Sequence, residues 1–188
     1  MFPNLVTDRT QADVIYLKNL LSKPMSEWTN DERAYFFMGR GSFENLVTLD
    51  GSLIYTQTDQ LILYDGDGIV RGAYNHTDLT RVTEAMDYLN GVFTERGYLT
   101  AYVPVKTKWS KEAAPSVGQM QRYLANVSAL RNVVAKGVPL AVPAVMEKLT
   151  VTEANNIEKI LVTIHDLLMR MLLTMAPCGA ATSGGDYL

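Results

Sequence analysis

Gly72-Ala73-Tyr74-Asn75-His76-Thr77-Asp78-Leu79-Thr80-Arg81-Val82-Thr83-Glu84-Ala85-Met86-Asp87-Tyr88-Leu89-Asn90-Gly91-Val92-Phe93-Thr94-Glu95-Arg96-Gly97-Tyr98 reads as one helix with both ends marked. Asn75 is an N-cap, since its side-chain oxygen can take a free N–H of the first turn. Asp78 puts a negative charge in that turn, against the positive end of the helix dipole. Leu79, Val82, Met86, Leu89 and Phe93 recur at steps of three and four, which makes one narrow apolar stripe. Such a stripe is the seam of a helix that packs on other helices. Gly97 ends it, because glycine adopts the left-handed conformation of a C′ residue without steric cost.

The same grammar recurs on both sides. Thr10 to Asp13 opens a helix with Val14, Leu17 and Leu21 on one face, stopped at Lys23-Pro24. Thr29 and Glu32 form a Ser/Thr-x-x-Glu capping box ahead of a short helix, Asp31 to Met38. Ser116 with Gln119, and Thr150 with Glu153, are two more such boxes. They open a helix from Val117 to about Val134, with Met120, Leu124, Val127 and Leu130 on its seam, and one from Val151 to about Met175. The latter carries the longest stripe: Ala154, Ile157, Leu161, Ile164, Leu168 and Met171. After the central helix, Ala101 to Val105 is extended, with Pro104 favouring an edge.

Residues 43–71 change period. Leu46 to Leu49, then Asp50-Gly51, then Ser52 to Thr56 has the pattern of a hairpin, and Asp65-Gly66-Asp67-Gly68 turns a second one. The expected fold is mainly α: a bundle of three to four longer helices with a small antiparallel β-hairpin insertion. The expected divisions are an N-terminal helical segment at 1–42, the insertion at 43–71, the helical core at 72–177 and a tail at 178–188.

Composition excludes more than it assigns. With 17 basic and 20 acidic residues the chain has a net charge of −3, and no basic cluster argues for nucleic acid. The most apolar stretch, Ile160 to Met175, is interrupted by His165, Asp166 and Arg170, so no membrane span is expected. The first residues lack the features of a signal peptide. A single cysteine, Cys178, permits no internal disulfide. Asp65-Gly66-Asp67-Gly68 fails as a calcium loop, since the twelfth position from Asp65 is His76 rather than a glutamate. His76 and His165 lie on different helices with no ligand spacing, and Cys178 has no base placed beside it. Glu84 and Asp87 read as a solvated helix face rather than a catalytic pair. No catalytic residue, metal ligand or cofactor site is therefore expected.

The interface candidates are Met169, Met171 and Met175 at the end of the last helix, which fill core gaps or meet a partner. Tyr55 and Tyr64 of the insertion are the others. Tyr74, Tyr88, Tyr98, Tyr102 and Tyr123 suit an interface or a glycan platform.

Three groups of motifs carry a resemblance. The first is Gly72-Ala73-Tyr74-Asn75, Asp78-Leu79, Arg81-Val82, Tyr88-Leu89 and Gly97-Tyr98; the second is Lys106-Thr107-Lys108-Trp109-Ser110, Pro115-Ser116, Met120, Tyr123-Leu124, Asn126-Val127 and Leu130-Arg131; the third is Met146 to Thr150, then Glu153-Ala154-Asn155, Ile157-Glu158. Upstream, Thr7-Asp8-Arg9-Thr10-Gln11, Asp13-Val14 and Trp28-Thr29 with Glu32 join them. In this order they resemble a module of virion structural proteins from phages and prophages of Firmicutes, usually encoded among tail genes. Residues 43–71 depart from that pattern, in which the segment after Phe37 runs almost directly into the Gly72 motif. The resemblance implies a non-enzymatic tail, baseplate or fibre-attachment component in multiple copies, assembled in the host cytoplasm into the virion. Other virion proteins and further copies of the chain would be its partners. A head-decorating or head-fibre protein is the alternative within assembly. Outside it, one alternative is a carbohydrate-binding adhesin using Tyr55 and Tyr64 on a host-surface glycan, and the last is a small wall-degrading enzyme, for which no acid/base pair is positioned.

Overall fold

The computed structural model describes residues 1–38, 71–106, 108–109, 114–134 and 138–175. The expected β insertion, with Tyr55 and Tyr64, and the tail with Cys178 lie outside the described residues. Each of the five α-helices among the described residues opens on a reciprocal capping box. α1 (Gln11–Leu21) is capped by Thr10 with Asp13, and α2 (Asn30–Met38) by Thr29 with Glu32. α3 (His76–Glu95) is capped by Asn75 with Asp78, α4 (Val117–Val133) by Ser116 with Gln119, and α5 (Val151–Met175) by Thr150 with Glu153. Each box pairs two backbone N–H groups that the first turn leaves without an acceptor. A one-turn 3₁₀ helix, Met25–Glu27, joins α1 to α2.

The end of α3 follows from Gly97. At φ 77° it lets Tyr98 N–H reach Phe93 O at 2.9 Å and Gly97 N–H reach Thr94 O at 3.0 Å. The rings of Phe93 and Tyr98 meet edge to face at 5.8 Å, which completes a Schellman ending. The chain then runs back along α3. Thr100 Oγ1 donates to Asn90, the Tyr102 hydroxyl donates to Asp87, and Trp109 N–H donates to Thr80 Oγ1 at 3.1 Å. This extended return, residues 99–106 and 108–109, brings α4 to its start at the same end as α3. α5 starts there too: Arg81 meets Glu158 at that end, and seven residues further along each helix Tyr88 meets His165. The three long helices therefore point in the same direction, joined by long returns instead of tight turns.

Their common seam is the core. Val82, Met86, Leu89 and Phe93 of α3, Tyr123, Val127 and Leu130 of α4, and Ile157, Ile160, Leu161 and Ile164 of α5 have no exposed surface. Each such aliphatic or aromatic side chain contributes roughly 1.5–3 kcal/mol by leaving water. Every apolar position anticipated on the α3 stripe is buried. On α5, Met171 is only partly covered, and Ile160 joins the seam in addition. The architecture is mainly α with three longer packed helices, and no β-strand occurs among the described residues.

α1 differs from its reading in sequence. Its buried residues are Leu17 and Leu20, and Leu21 is 56% exposed. A three-residue step from Leu17 was chosen where a four-residue step looked equally good, because both leucines satisfy helical spacing. α1 is set against the approach to α3 at Gly72, where a Cβ would stand 2.4 Å from Asp13 O and 2.6 Å from Leu17 Cβ. Only glycine allows so close an approach.

Candidate functional site

Residues 1–10 have no regular structure, so their backbone groups need partners from elsewhere. α5 supplies them. Asn155 grips Arg9 from both sides, accepting from its N–H at 3.0 Å and donating to its carbonyl at 2.8 Å. One turn on, Glu158 Oε2 accepts the Val6 N–H at 2.5 Å. The Arg9 side chain, 2% exposed, then enters the bundle. It donates to Val6 O at 2.8 Å, Asp78 Oδ1 at 2.7 Å and Glu158 Oε1 at 2.7 Å. Arg81 reaches the same two carboxylates from α3.

Two arginines and two carboxylates thus form a closed, charge-balanced group, with Asp78 and Glu158 wholly buried. Asp78 does two jobs with two oxygens: Oδ2 accepts the Asn75 N–H that starts α3, and Oδ1 binds both arginines. Burial works against the Arg81 charge, but Glu158 and then Asp78 more than offset it and hold its pKa above the usual guanidinium value. At the other end of the arm, Phe2 stacks on His165 at 4.2 Å and meets Tyr88 edge to face at 5.7 Å.

The return segment is held by the same device. Asn126 of α4, 1% exposed, accepts the Val103 N–H at 2.9 Å and donates to the Val103 carbonyl at 2.7 Å. Further along, Trp109 Nε1–H donates to Thr83 Oγ1 at 3.2 Å inside the core. Tyr74 and Tyr123 share a hydroxyl–hydroxyl bond of 2.7 Å, and Arg9 lies over the Tyr74 ring at 5.3 Å. Burial, and then the nearby Glu158 charge, pushes the Tyr74 phenol well up; burial does the same to Tyr123.

Against this polar group, at the end of the bundle where all three long helices begin, lies an apolar groove of about 380 Å³. Leu79, Met120, Leu124 and Met146 line it, with Val117 and Val145 on its rim, 65% and 60% exposed. Tyr74, Gln121 and Glu147 are its polar contributors. It could seat a few apolar side chains. It offers one carboxylate, that of Glu147, and no histidine or cysteine.

No protein-family model, no curated protein and no solved structure matches this chain.

The residues singled out in sequence fall in different places. Met169 and Met171 are half-buried late in α5, beside Leu173, which is 76% exposed; Met175 closes the helix, and its side chain lies outside the described residues. His76 stands in the first turn of α3, and His165 belongs to the aromatic stack on the arm. Glu84 faces solvent, but Asp87 is half-buried under the Tyr102 hydroxyl. All five tyrosines offered for an interface, Tyr74, Tyr88, Tyr98, Tyr102 and Tyr123, make internal bonds or ring contacts, and of them Tyr98 is exposed. Among the described residues no cluster of three or more His, Cys, Asp or Glu is placed to hold a metal, and no helix is long and apolar enough to cross a membrane.

The charged group itself escaped sequence reading, where Asp78 served only as a first-turn acid. The signal was available: Glu158 sits between Ile157 and Leu161, on the apolar stripe of α5. A carboxylate there needs a buried cation, and the motifs around Arg9 and Arg81 carry one each.

Proposed function

We propose that the chain is a non-enzymatic structural subunit of a phage particle, most simply of the tail, baseplate or fibre-attachment region, used in multiple copies and assembled in the host cytoplasm. Residues 43–71 are, on this reading, a small β-hairpin insertion in the helical scaffold. The observation that carries it is where the motif residues go. Arg9, Tyr74, Asp78, Arg81, Tyr123, Asn126, Asn155 and Glu158, which supply the resemblance to virion proteins, bond to one another or to backbone, the buried Arg9 Nε alone lacking a hydrogen-bond partner among these contacts. They fasten an N-terminal arm and a return segment to three parallel helices. Reactive sites leave an acid, a base or a nucleophile facing a cleft; these side chains face inward and are paired. A subunit whose characteristic residues set its shape is what an assembly selects for.

Host glycan recognition would rest on Tyr55 and Tyr64, outside the described residues, so no observation favours it here. The test is to induce particles from the source strain, band them on a density gradient and quantify peptides by mass spectrometry. The chain is expected to co-band with particle proteins at many copies per particle. Abundance in the lysate with none in banded particles would refute the reading.

A further inference from the structure

The start of α4 separates two hollows. Val117, Met120, Gln121 and Leu124 wall the apolar groove. At about 100° per residue, Ser116, Gly118, Gln119 and Arg122 fall on the opposite flank of the helix. There, with Lys106 of the return segment, they wall a cleft of about 380 Å³. The two hollows carry opposite charge. Glu147 is the one charged side chain lining the groove; Lys106 and Arg122 line the cleft, and no acid does. Glu147 and Arg122 are both exposed, and neither has an ion-pair partner among the described residues. Lys106 lies over the Trp109 ring at 6.0 Å, and Lys148, exposed beside Glu147, lines neither hollow. Between the hollows runs the outer face of α4, where Gly118, Gln121, Ala125 and Asn132 are exposed and Arg122, at its edge, is the one exposed charge. α5 by contrast shows Lys159, Asp166 and Arg170 to solvent. Depletion of charge on an exposed face is the composition of an interface centre. A Cβ on Gly118 would meet nothing within 4 Å, so another chain can approach the backbone there.

We propose that a second copy of this chain packs on the outer face of α4 about a two-fold axis running along that helix, so that Glu147 of each copy enters the cleft of the other and pairs with Arg122. The direction of the axis follows from the charges. A two-fold contact sets the same patch of both copies face to face. Rotation about an axis along α4 exchanges its two flanks at the same height, so groove meets cleft and acid meets base in both halves of the contact. An axis across α4 would set groove against groove and Glu147 against Glu147. The two copies therefore lie side by side with their helices pointing the same way, and Val117 and Val145, 65% and 60% exposed in the single chain, gain cover. α4 is also the one α-helix among the described residues whose first turn has no acid; Asp13, Asp31, Asp78 and Glu153 supply it in the others. Glu147 from the second copy brings that negative charge, which offsets the like dipole ends that parallel neighbours set together. The inference rests on the multiple-copy reading above and names the surface by which one copy receives another.

The experiment uses the full chain and two charge reversals at exposed positions, Glu147→Arg and Arg122→Glu. In light scattering over a wide concentration range, the full chain is expected to reach the mass of a dimer. Each reversal alone is expected to give half that mass, because both halves of the contact then set like charges together. In an equimolar mixture of the two variants both pairs are again opposite in charge, so a 1:1 dimer is expected, and the double variant is expected to dimerise by itself. Circular dichroism checks that each variant keeps its helices. Ala125→Glu, on the open face of α4, replaces one that does not and is expected to be monomeric. A full chain that stays monomeric, a dimer that survives these substitutions, or folded reversals that do not pair overturns the inference. Dimerisation by a chain missing from banded particles would sink the particle reading alone. A chain abundant in particles but monomeric on its own would sink this inference alone.

Discussion

Glu158→Gln is the most informative single change in the scaffold. Glu158 is wholly buried and serves three partners: the Val6 N–H, Arg9 and Arg81. The amide keeps the shape and can still accept from Val6, but two arginines are left sharing the single charge of Asp78. Breaking a buried ion pair from one side costs about 3–5 kcal/mol, because a charge remains in the interior without its partner. Domains of this kind carry about 5–15 kcal/mol in all. At roughly 2–4 °C per kcal/mol for a chain of this length, the midpoint should fall by about 6–20 °C. Thermal and urea unfolding followed by circular dichroism give the loss. Hydrogen exchange at residues 5–10 locates it, since the arm is released before the bundle. Glu84→Gln on the solvent face of α3 is the control and should stay within about 0.5 kcal/mol. A loss under about 1 kcal/mol for Glu158→Gln, or one with no faster exchange in the arm, would refute the view that the charged group fastens the arm.

Two further outcomes follow from the same geometry. Gly72→Ala should cost about 1–3 kcal/mol, because its Cβ would meet Asp13 O and Leu17 Cβ, while Gly91→Ala, with nothing within 4 Å, should add about 0.5–1 kcal/mol by helix propensity; urea midpoints that move the same way in both would contradict this. Alkaline pH should unfold the protein cooperatively. Tyr74 and Tyr123 are raised by burial, and Tyr102 by burial and then by Asp87, so folded phenols hold their protons above pH 10 while unfolded ones lose them. Their stabilisation is complete below about pH 10 and falls above it by up to about 1.4 kcal/mol per pH unit each, less for the more accessible Tyr102. In absorbance at 295 nm a fraction of the ten tyrosines should ionise only with unfolding; smooth titration of all of them with the fold intact would contradict it.

The helices were legible because their signals are local. A capping box lies within four residues and a seam within two turns, so Asn75, Ser116 and Thr150 marked starts and Gly97 marked a stop without any knowledge of the fold. The direction of the helices was not legible. It depends on the return segment pairing with α3 through Asn90, Asp87, Thr80 and Thr83, and on Asn126 gripping Val103, contacts between residues ten to twenty-nine apart. The arm was least legible of all, since Arg9 finds its partners 69 and 146 residues away. The same holds for the groove, whose walls come from α3, α4 and the approach to α5. What periodicity cannot tell is which polar residues turn inward.

The two asparagines explain why the fold tolerates so much extended chain around three helices. A segment without helix or sheet must pair its N–H and C=O groups, and ordinarily a neighbouring strand does so. Here Asn155 and Asn126 each offer a carboxamide to one residue, Arg9 or Val103, in the way a strand partner would. Such a grip acts at a single register, since a slip by one residue would turn the side chain of the gripped residue to the other face. The Arg9 guanidinium reinforces it: no other side chain of residues 1–10 is cationic, so in the arm only Arg9 can meet Asp78 and Glu158 together. An apolar arm could bury as much surface and, by the general behaviour of buried ion pairs, cost nothing in stability. It would carry no group that penalises a shifted register. Under the proposed function, in which many copies present the same surface, a charged group that is correct in one position and expensive in every other is an advantage.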